Sequence, residues 1–374
     1  MIYLFCFFVS TIFAVLAERS HNKAGFIFWS IISVMITTLL AGLRYISVGI
    51  DTANYYRSWH IASTSSNLWE YMRWYFLNEK GEFLFALFYG GVAQVFKNYN
   101  YFLFFSSLIT VGAVYIGAFR LHNYIYPPLV LLLFYLIYYN YTFNIMRQMM
   151  VIAIQFAFLS DLLNKKYIKF LIVIIITVEI HTTAWMALII LFSFMYLYGD
   201  KKKETLITNN LRSRAFTLIV GILTLVIVFE SLTIFLINNN YIPRRFLWYF
   251  NEKETINPKL ANSLFALELV FLMINLPIIN KKYKTSTFFI VSTISFIILY
   301  QLARSVNFGK RLSQYYCLIN IATICMIANI QNNKNLNKII ISTGIIFTMT
   351  FYWFYFYYLK NASHTVPYIS IFSK

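Results

Sequence analysis

The chain holds 374 residues, 60% of them hydrophobic and 12% charged, with a formal net charge of +18. A soluble domain of this length carries about half apolar and a quarter charged residues, so that class is excluded. A membrane β-barrel is excluded too, because the apolar runs are continuous and not alternating. The positive charge lies in short clusters between those runs. The positive-inside rule and anionic lipid headgroups account for it, so membrane lipids are expected partners and nucleic acid is not.

Thirteen apolar segments are read along the chain, at 1–17, 24–43, 81–96, 101–119, 127–140, 144–163, 166–180, 183–198, 215–236, 263–279, 286–303, 311–329 and 339–358. Most approach the length of about 20 residues that spans a ~30 Å hydrocarbon core. The pattern predicts an all-α polytopic integral membrane protein with about 12–13 transmembrane segments, organised as one membrane domain over 1–374. The first segment, MIYLFCFFVSTIFAVLAERS, lacks a basic start and a small-residue cleavage site, and is read as a retained helix. Pro127-Pro128 marks a helix start. Cys6, Cys317 and Cys325 all fall in apolar runs and show neither a disulfide framework nor metal-ligand spacing. Two connections are long, 44–80 and 237–262. The first is rich in Trp and Tyr, which suits an amphipathic element at headgroup level.

Orientation follows from the basic loops. Lys165, Lys166 and Lys169, then Lys201–Lys203, then Lys281, Lys282 and Lys284 are assigned to the cytoplasm. The hairpin between the first two clusters carries His181 to the external side, together with Arg147, Arg304 and the 237–262 loop. Thirteen full crossings would then put 44–80 inside, whereas Arg19 and Lys23 put it outside. One short segment, 81–96 or 127–140, is therefore expected not to cross, leaving 44–80 external.

The candidate site residues begin in GLRYISVGIDTANYYRSW, with Arg44, Asp51, Tyr55 and Arg57 directly after an apolar run. Asp51 is the first candidate for a general base, with a helix cap or an ion pair to Arg44 or Arg57 as the competing reading. Glu82 opens GEFLFALFY as a second carboxylate. Arg147 and Gln148 open NIMRQMMVIAIQ. His181, in VEIHTTAW, is either a base or a satisfied structural residue. Glu179, two residues earlier, would point elsewhere. Arg304 and Arg311, in ARSVNFGKRLSQYY, would share a helix face with Tyr315. Arginine suits phosphate, because its planar fork stays charged and donates paired hydrogen bonds. Converging arginines would form a pyrophosphate clamp; separately, each could snorkel to a headgroup. Glu230 and Glu268 are weaker candidates. No P-loop, GxSxG, HExxH or DxD pattern is present, and no metal or cofactor is expected.

These stretches resemble a family. GLRYISVGIDTANYY resembles the signature after the second helix of EpsG-type and Wzy-type polysaccharide polymerases. GEFLFALFY, MRQMMVIAI and the KKYIKFLIVIIITVEIHTTAWMALIIL hairpin are similar to the segments that follow it, over roughly residues 1–200 and more faintly at ARSVNFGKRLSQYY. Ile50, where members often have Thr, and Ala153, displaced within its motif, depart from the pattern. The resemblance implies a GT-C-like glycosyltransferase in the bacterial inner membrane, with its site on the periplasmic or external face. It would transfer a growing glycan from undecaprenyl pyrophosphate to the non-reducing end of an incoming lipid-linked repeat of O-antigen (lipopolysaccharide) or capsule. Arg147 and Arg304, with Arg44 and Arg311, would hold the pyrophosphate. Asp51, or else His181, would take the acceptor proton, and a flippase and a chain-length regulator would be partners. The alternatives are a flippase for the same lipid-linked sugar and a membrane O-acyltransferase built on His181.

Overall fold

The structure is a computed structural model that describes residues 1–79, 81–199, 207–239, 241, 258–302, 307–330 and 335–373. The described residues are mostly helical and hold no strand beyond one isolated antiparallel bridge between Arg44 and Ser370. They form two compact units, Met1–Trp185 with Asn332–Lys374, and Met186–Gln331.

The first unit contains α1 (Ile2–Glu18), α2 (Lys23–Gly42), α3 (Ile50–Thr64), α4 (Leu68–Asn78), α5 (Phe83–Phe96), α6 (Tyr99–Arg120), α7 (Pro127–Phe134), α8 (Met146–Ala157), α9 (Leu159–Leu163) and α10 (Tyr167–Val178). The second holds α11 (Ala187–Tyr198), α12 (Ile207–Asn238), α13 (Pro258–Lys282), α14 (Ser286–Leu302) and α15 (Asn307–Ile330). The chain then returns to the first unit with α16 (Asn335–Trp353) and a π-helical turn, Phe354–Leu359. Among the described residues, four stretches are long and apolar enough to cross a membrane: Lys23–Gly42, Tyr99–Arg120, Ser263–Lys282 and Ile339–Leu359. Several shorter apolar helices accompany them, giving an all-α multi-pass membrane fold.

Local sequence explains where the helices start. Asn22 accepts from the Gly25 amide at 2.6 Å, Asn67 from the Glu70 amide at 2.9 Å, and Asn98 from the Asn100 amide at 2.9 Å, each satisfying a first-turn donor. Glu70 reaches back to the Ser66 amide at 2.6 Å, completing a reciprocal cap on α4. Pro127 and Pro128 open α7, where a missing N–H costs nothing. Small residues let the helices approach closely: a Cβ on Gly42 would lie 2.8 Å from the Phe104 Cβ on α6. Buried hydroxyls tie helices together where lipid offers no partner. Ser10 donates to the Ser33 carbonyl at 2.7 Å and Ser33 to the Ser10 carbonyl at 2.8 Å.

The first unit has two chemically different ends. At one, Asp161 on α9 is ringed by Arg120 (2.5 Å), Lys169 (3.2 Å) and Lys166 (3.6 Å). At the other, Tyr99 on α6 donates to the Thr52 carbonyl at 2.8 Å, and Arg147, Glu82 and the turn after α10 meet. The 22 residues of α6 join the two ends. At 1.5 Å per residue they span about 33 Å, one hydrocarbon thickness.

α5 starts beside Arg147, and its C-terminal Lys97 donates to Ser63 of α3 at 2.7 Å before the chain enters α6. Both ends of α5 therefore lie at the same end of the unit. The helix runs beside α3, with Gln94 donating to the Ala62 carbonyl at 2.7 Å and Tyr89 to the Tyr55 carbonyl at 2.6 Å. α3, in the 44–80 connection, shares this end with Arg147 and His181. The expected segment 144–163 is interrupted at Phe158 between α8 and α9. The 237–262 loop lies mostly outside the described residues.

Residues 361–373 form an irregular tail laid against the 43–49 loop. Tyr45 N–H donates to the Ile369 carbonyl (2.8 Å), Ile371 N–H to Leu43 (2.9 Å) and Gly49 N–H to His364 (2.9 Å). Tyr3 donates to the Thr365 carbonyl at 2.9 Å, and Asn140 to the Thr365 hydroxyl at 2.8 Å.

Candidate active site

Four of the sequence-predicted residues converge in the first unit. Arg147, in the first turn of α8, donates Nε to the Tyr55 hydroxyl at 2.8 Å and Nη1 to Glu82 Oε2 at 3.0 Å. The other Glu82 oxygen, Oε1, accepts from the Thr182 amide at 2.9 Å and lies 3.4 Å from His181 Nδ1. The guanidinium also sits over the Phe85 ring, 4.8 Å from its centroid. Arg147 keeps 29% of its side chain exposed, against 9% for Glu82 and 14% for His181. Its Nη2 makes no hydrogen bond among the described residues. The arginine is thus braced on one edge and accessible on another, which is how an anion-binding guanidinium is prepared.

Each part is positioned by its element. Glu82 is the residue before α5, so its carboxylate stands at the helix entrance. Glu179 explains the alignment of α5 with the turn after α10: its carboxylate accepts from the Phe83 amide at 3.3 Å and its carbonyl from the Phe85 amide at 3.0 Å. Sequence reading placed Glu179 away from His181 and gave it no role; its task is to cap α5 from 96 positions away. Only an unsatisfied helix start could have signalled this. Gln155 secures the same turn from α8, donating to the Ala184 carbonyl at 3.1 Å and Thr177 at 3.0 Å.

Burial alone would raise the Glu82 carboxyl. The nearby His181 ring, the Arg147 charge and the Thr182 amide outweigh it and bring the group down to about 2. Glu82 is therefore a fixed carboxylate near neutrality. It suits holding Arg147 and orienting His181, and it is a poor proton acceptor. Burial raises the Tyr55 phenol, against the pull of Arg147, so it stays protonated.

Asp51 lies in the first turn of α3, one turn before Tyr55, and is partly buried. It is not the helix cap: that position belongs to Gly49, and the Asn144 side chain accepts from the Ile50 amide at 2.8 Å. Gly49 holds φ +92°, and a Cβ there would lie 2.9 Å from the Phe143 Cβ, so the turn requires glycine. Arg44 stands apart from the Arg147 cluster. It is 1% exposed, donates to the Ala41 carbonyl at 2.7 Å and packs 3.9 Å over the Phe143 ring. Gln148 is buried within α8. Arg311 and the buried Tyr315 belong to α15 of the second unit. Arg304 lies outside the described residues. Among the described residues no group of His, Cys, Asp and Glu has the arrangement of a metal site.

No curated protein matches the chain. No solved structure matches it either. The model of the EpsG family matches residues 27–370, nearly the whole chain, and on that extent the protein belongs to the EpsG family.

Proposed function

We propose that the protein is a polysaccharide polymerase of the bacterial inner membrane, a GT-C-like glycosyltransferase working on undecaprenyl-pyrophosphate-linked glycans. The carrying observation is the Arg147–Glu82–His181–Tyr55 cluster at one end of the first unit. It puts a half-accessible guanidinium next to a carboxylate-oriented imidazole, one group for a leaving diphosphate and one for a proton. The Lys165, Lys166 and Lys169 end faces the cytoplasm under the positive-inside rule, so the cluster faces outward, where lipid-linked repeats are polymerised.

In the reaction the acceptor hydroxyl oxygen attacks the anomeric carbon of the donor glycan. The bond from that carbon to the pyrophosphate oxygen breaks with inversion, and the diphosphate leaves with the electron pair. Arg147 stabilises the charge that develops on it, and no metal is required for that role. The acceptor proton passes to His181, whose imidazole is held against Glu82 as in other carboxylate–histidine pairs. Asp51, one turn from Tyr55, is the other candidate base. A flippase supplying repeats and a chain-length regulator complete the system.

Deleting the gene and separating the surface glycan by size tests this. Loss of long chains with a single repeat still attached supports polymerisation. Loss of every repeat assigns the chain to export of the lipid-linked sugar, the flippase reading, and overturns the proposal.

A further inference from the structure

Several tyrosines pack together beside the Arg147 cluster, and most of their hydroxyls are committed. Tyr55 accepts from Arg147 at 2.8 Å, Tyr89 donates to the Tyr55 carbonyl at 2.6 Å, and Tyr99 donates to the Thr52 carbonyl at 2.8 Å. Tyr75, on α4, differs. It packs in the same cluster and is only 6% exposed. Yet its hydroxyl makes no hydrogen bond among the described residues, and its oxygen is not enclosed. Burial pushes this phenol up to about 12, so it keeps its proton and stands as a donor near neutrality.

The hydroxyl lies at the edge of the candidate site. A Cβ on Gly81 would come within 2.3 Å of it, so the residue before Glu82 has to be bare for Tyr75 to reach that point. Aromatic surface extends from there. The Tyr75 ring meets Phe76 edge-on at 6.0 Å, and Phe76 stacks with Phe83 at 6.2 Å and 14°. Phe76 is 39% exposed and Phe83, directly after Glu82, is 41% exposed. Glu79, the C-cap of α4, adds an exposed carboxylate one turn after Tyr75. Open aromatic surface, an idle donor and an acceptor make a set suited to a sugar. The flat C–H face of a pyranose ring lies on aromatic rings, and its hydroxyl rim exchanges hydrogen bonds with the polar groups. A lipid tail would suit the rings but would leave the Tyr75 hydroxyl unpaired.

We propose that the α4–α5 corner of Tyr75, Phe76, Glu79 and Phe83 is a sugar subsite beside the Arg147 cluster, in which the Tyr75 hydroxyl donates to a hydroxyl oxygen of a pyranose ring. The proposal rests on reading that cluster as a glycan-transfer site, and it names the residues that hold the glycan and not its carrier.

The test compares the binding of two lipids to the full-length protein in detergent: undecaprenyl pyrophosphate, and the lipid-linked repeat extracted from a strain deleted for this gene. Wild type should bind the repeat more tightly than the bare carrier. Tyr75→Phe, which keeps the ring, should weaken binding of the repeat about threefold to tenfold, the scale of one hydrogen bond, and leave the bare carrier unchanged. Gly81→Ala, which keeps the hydroxyl but displaces it, should do the same. Arg147→Lys should weaken both lipids. Equal affinity of wild type for the two lipids, or wild-type affinity for the repeat in both Tyr75→Phe and Gly81→Ala, overturns the subsite and leaves the polymerase reading standing. Equal weakening of the two lipids by Tyr75→Phe makes the corner a carrier contact and also overturns it. Binding of neither lipid by wild type overturns the polymerase reading together with the subsite.

Discussion

Replacing Glu82 by glutamine tests the candidate site with little change of shape. The side chain keeps its volume and loses its charge. Its carboxyl is brought from 4.5 to about 2, a preference for the charged form of roughly 3 kcal/mol. The Arg147 contact at 3.0 Å agrees in scale. Two charges near 4 Å attract by about 4 kcal/mol at a near-surface dielectric. The folded value lies below the unfolded one, so this stabilisation is complete above pH 4.5 and is lost as pH falls from 4.5 towards 2. Glu82→Gln should therefore lower stability by about 2–3 kcal/mol at pH 7, and its stability should change less than wild type across that acid window. It should also reduce glycan polymerisation by roughly tenfold to a hundredfold, since Arg147 loses its anchor and His181 its orienting carboxylate. Thermal unfolding of the purified protein across pH gives the first quantity. The glycan ladder in a deletion strain, normalised to protein level, gives the second. Wild-type ladders together with an unchanged acid limb would refute the role assigned to Glu82.

Arg147→Ala should lower polymerisation by about a hundredfold to a thousandfold, the scale of losing one preorganised charge donor, at near-normal membrane insertion; long ladders would remove Arg147 from the site. Tyr55→Phe deletes only the hydroxyl that accepts from Arg147 Nε and should reduce ladder intensity about threefold to tenfold, with little change in melting temperature. Asp51→Asn separates the two candidate bases: strongly reduced turnover of a lipid-linked repeat assigns the proton to Asp51, and unchanged turnover assigns it to His181. Gly49→Ala should destabilise by about 1–2 kcal/mol, because it forces a left-handed residue with φ +92° and a Cβ against Phe143, as thermal unfolding will register.

Much of this was legible in the chain, for identifiable reasons. Arg147, Glu82 and His181 stand out because charges beside apolar runs are rare, and rarity needs no tertiary knowledge to be noticed. Their meeting was not legible: 65 residues separate Glu82 from Arg147, and 100 separate it from Thr182. Segment 81–96 illustrates the limit of hydropathy. Phe83–Phe96 is as apolar as a spanning helix, but it is 14 residues long and buries its small face of Ala86, Gly90 and Ala93 in the first unit. Composition registers that apolarity and is blind to where the two ends return. Arg44 was grouped with Arg147 because both are membrane-edge arginines. Only the positions of Ala41, Phe143 and Met146 reveal that it turns inward.

The tail at 361–373 carries a consequence for how the molecule is made. Its contacts with the 43–49 loop and with Tyr3 join chain positions more than 300 apart, the Tyr3–Thr365 pair being separated by 362. Everything from Met186 to Gln331 has to be synthesised before those contacts can form. Until then the amides of Tyr45 and Gly49 lack their partners at the rim of the membrane. A copy lacking residues 361–373 would leave those two amides unpaired, whereas in the structure both are satisfied.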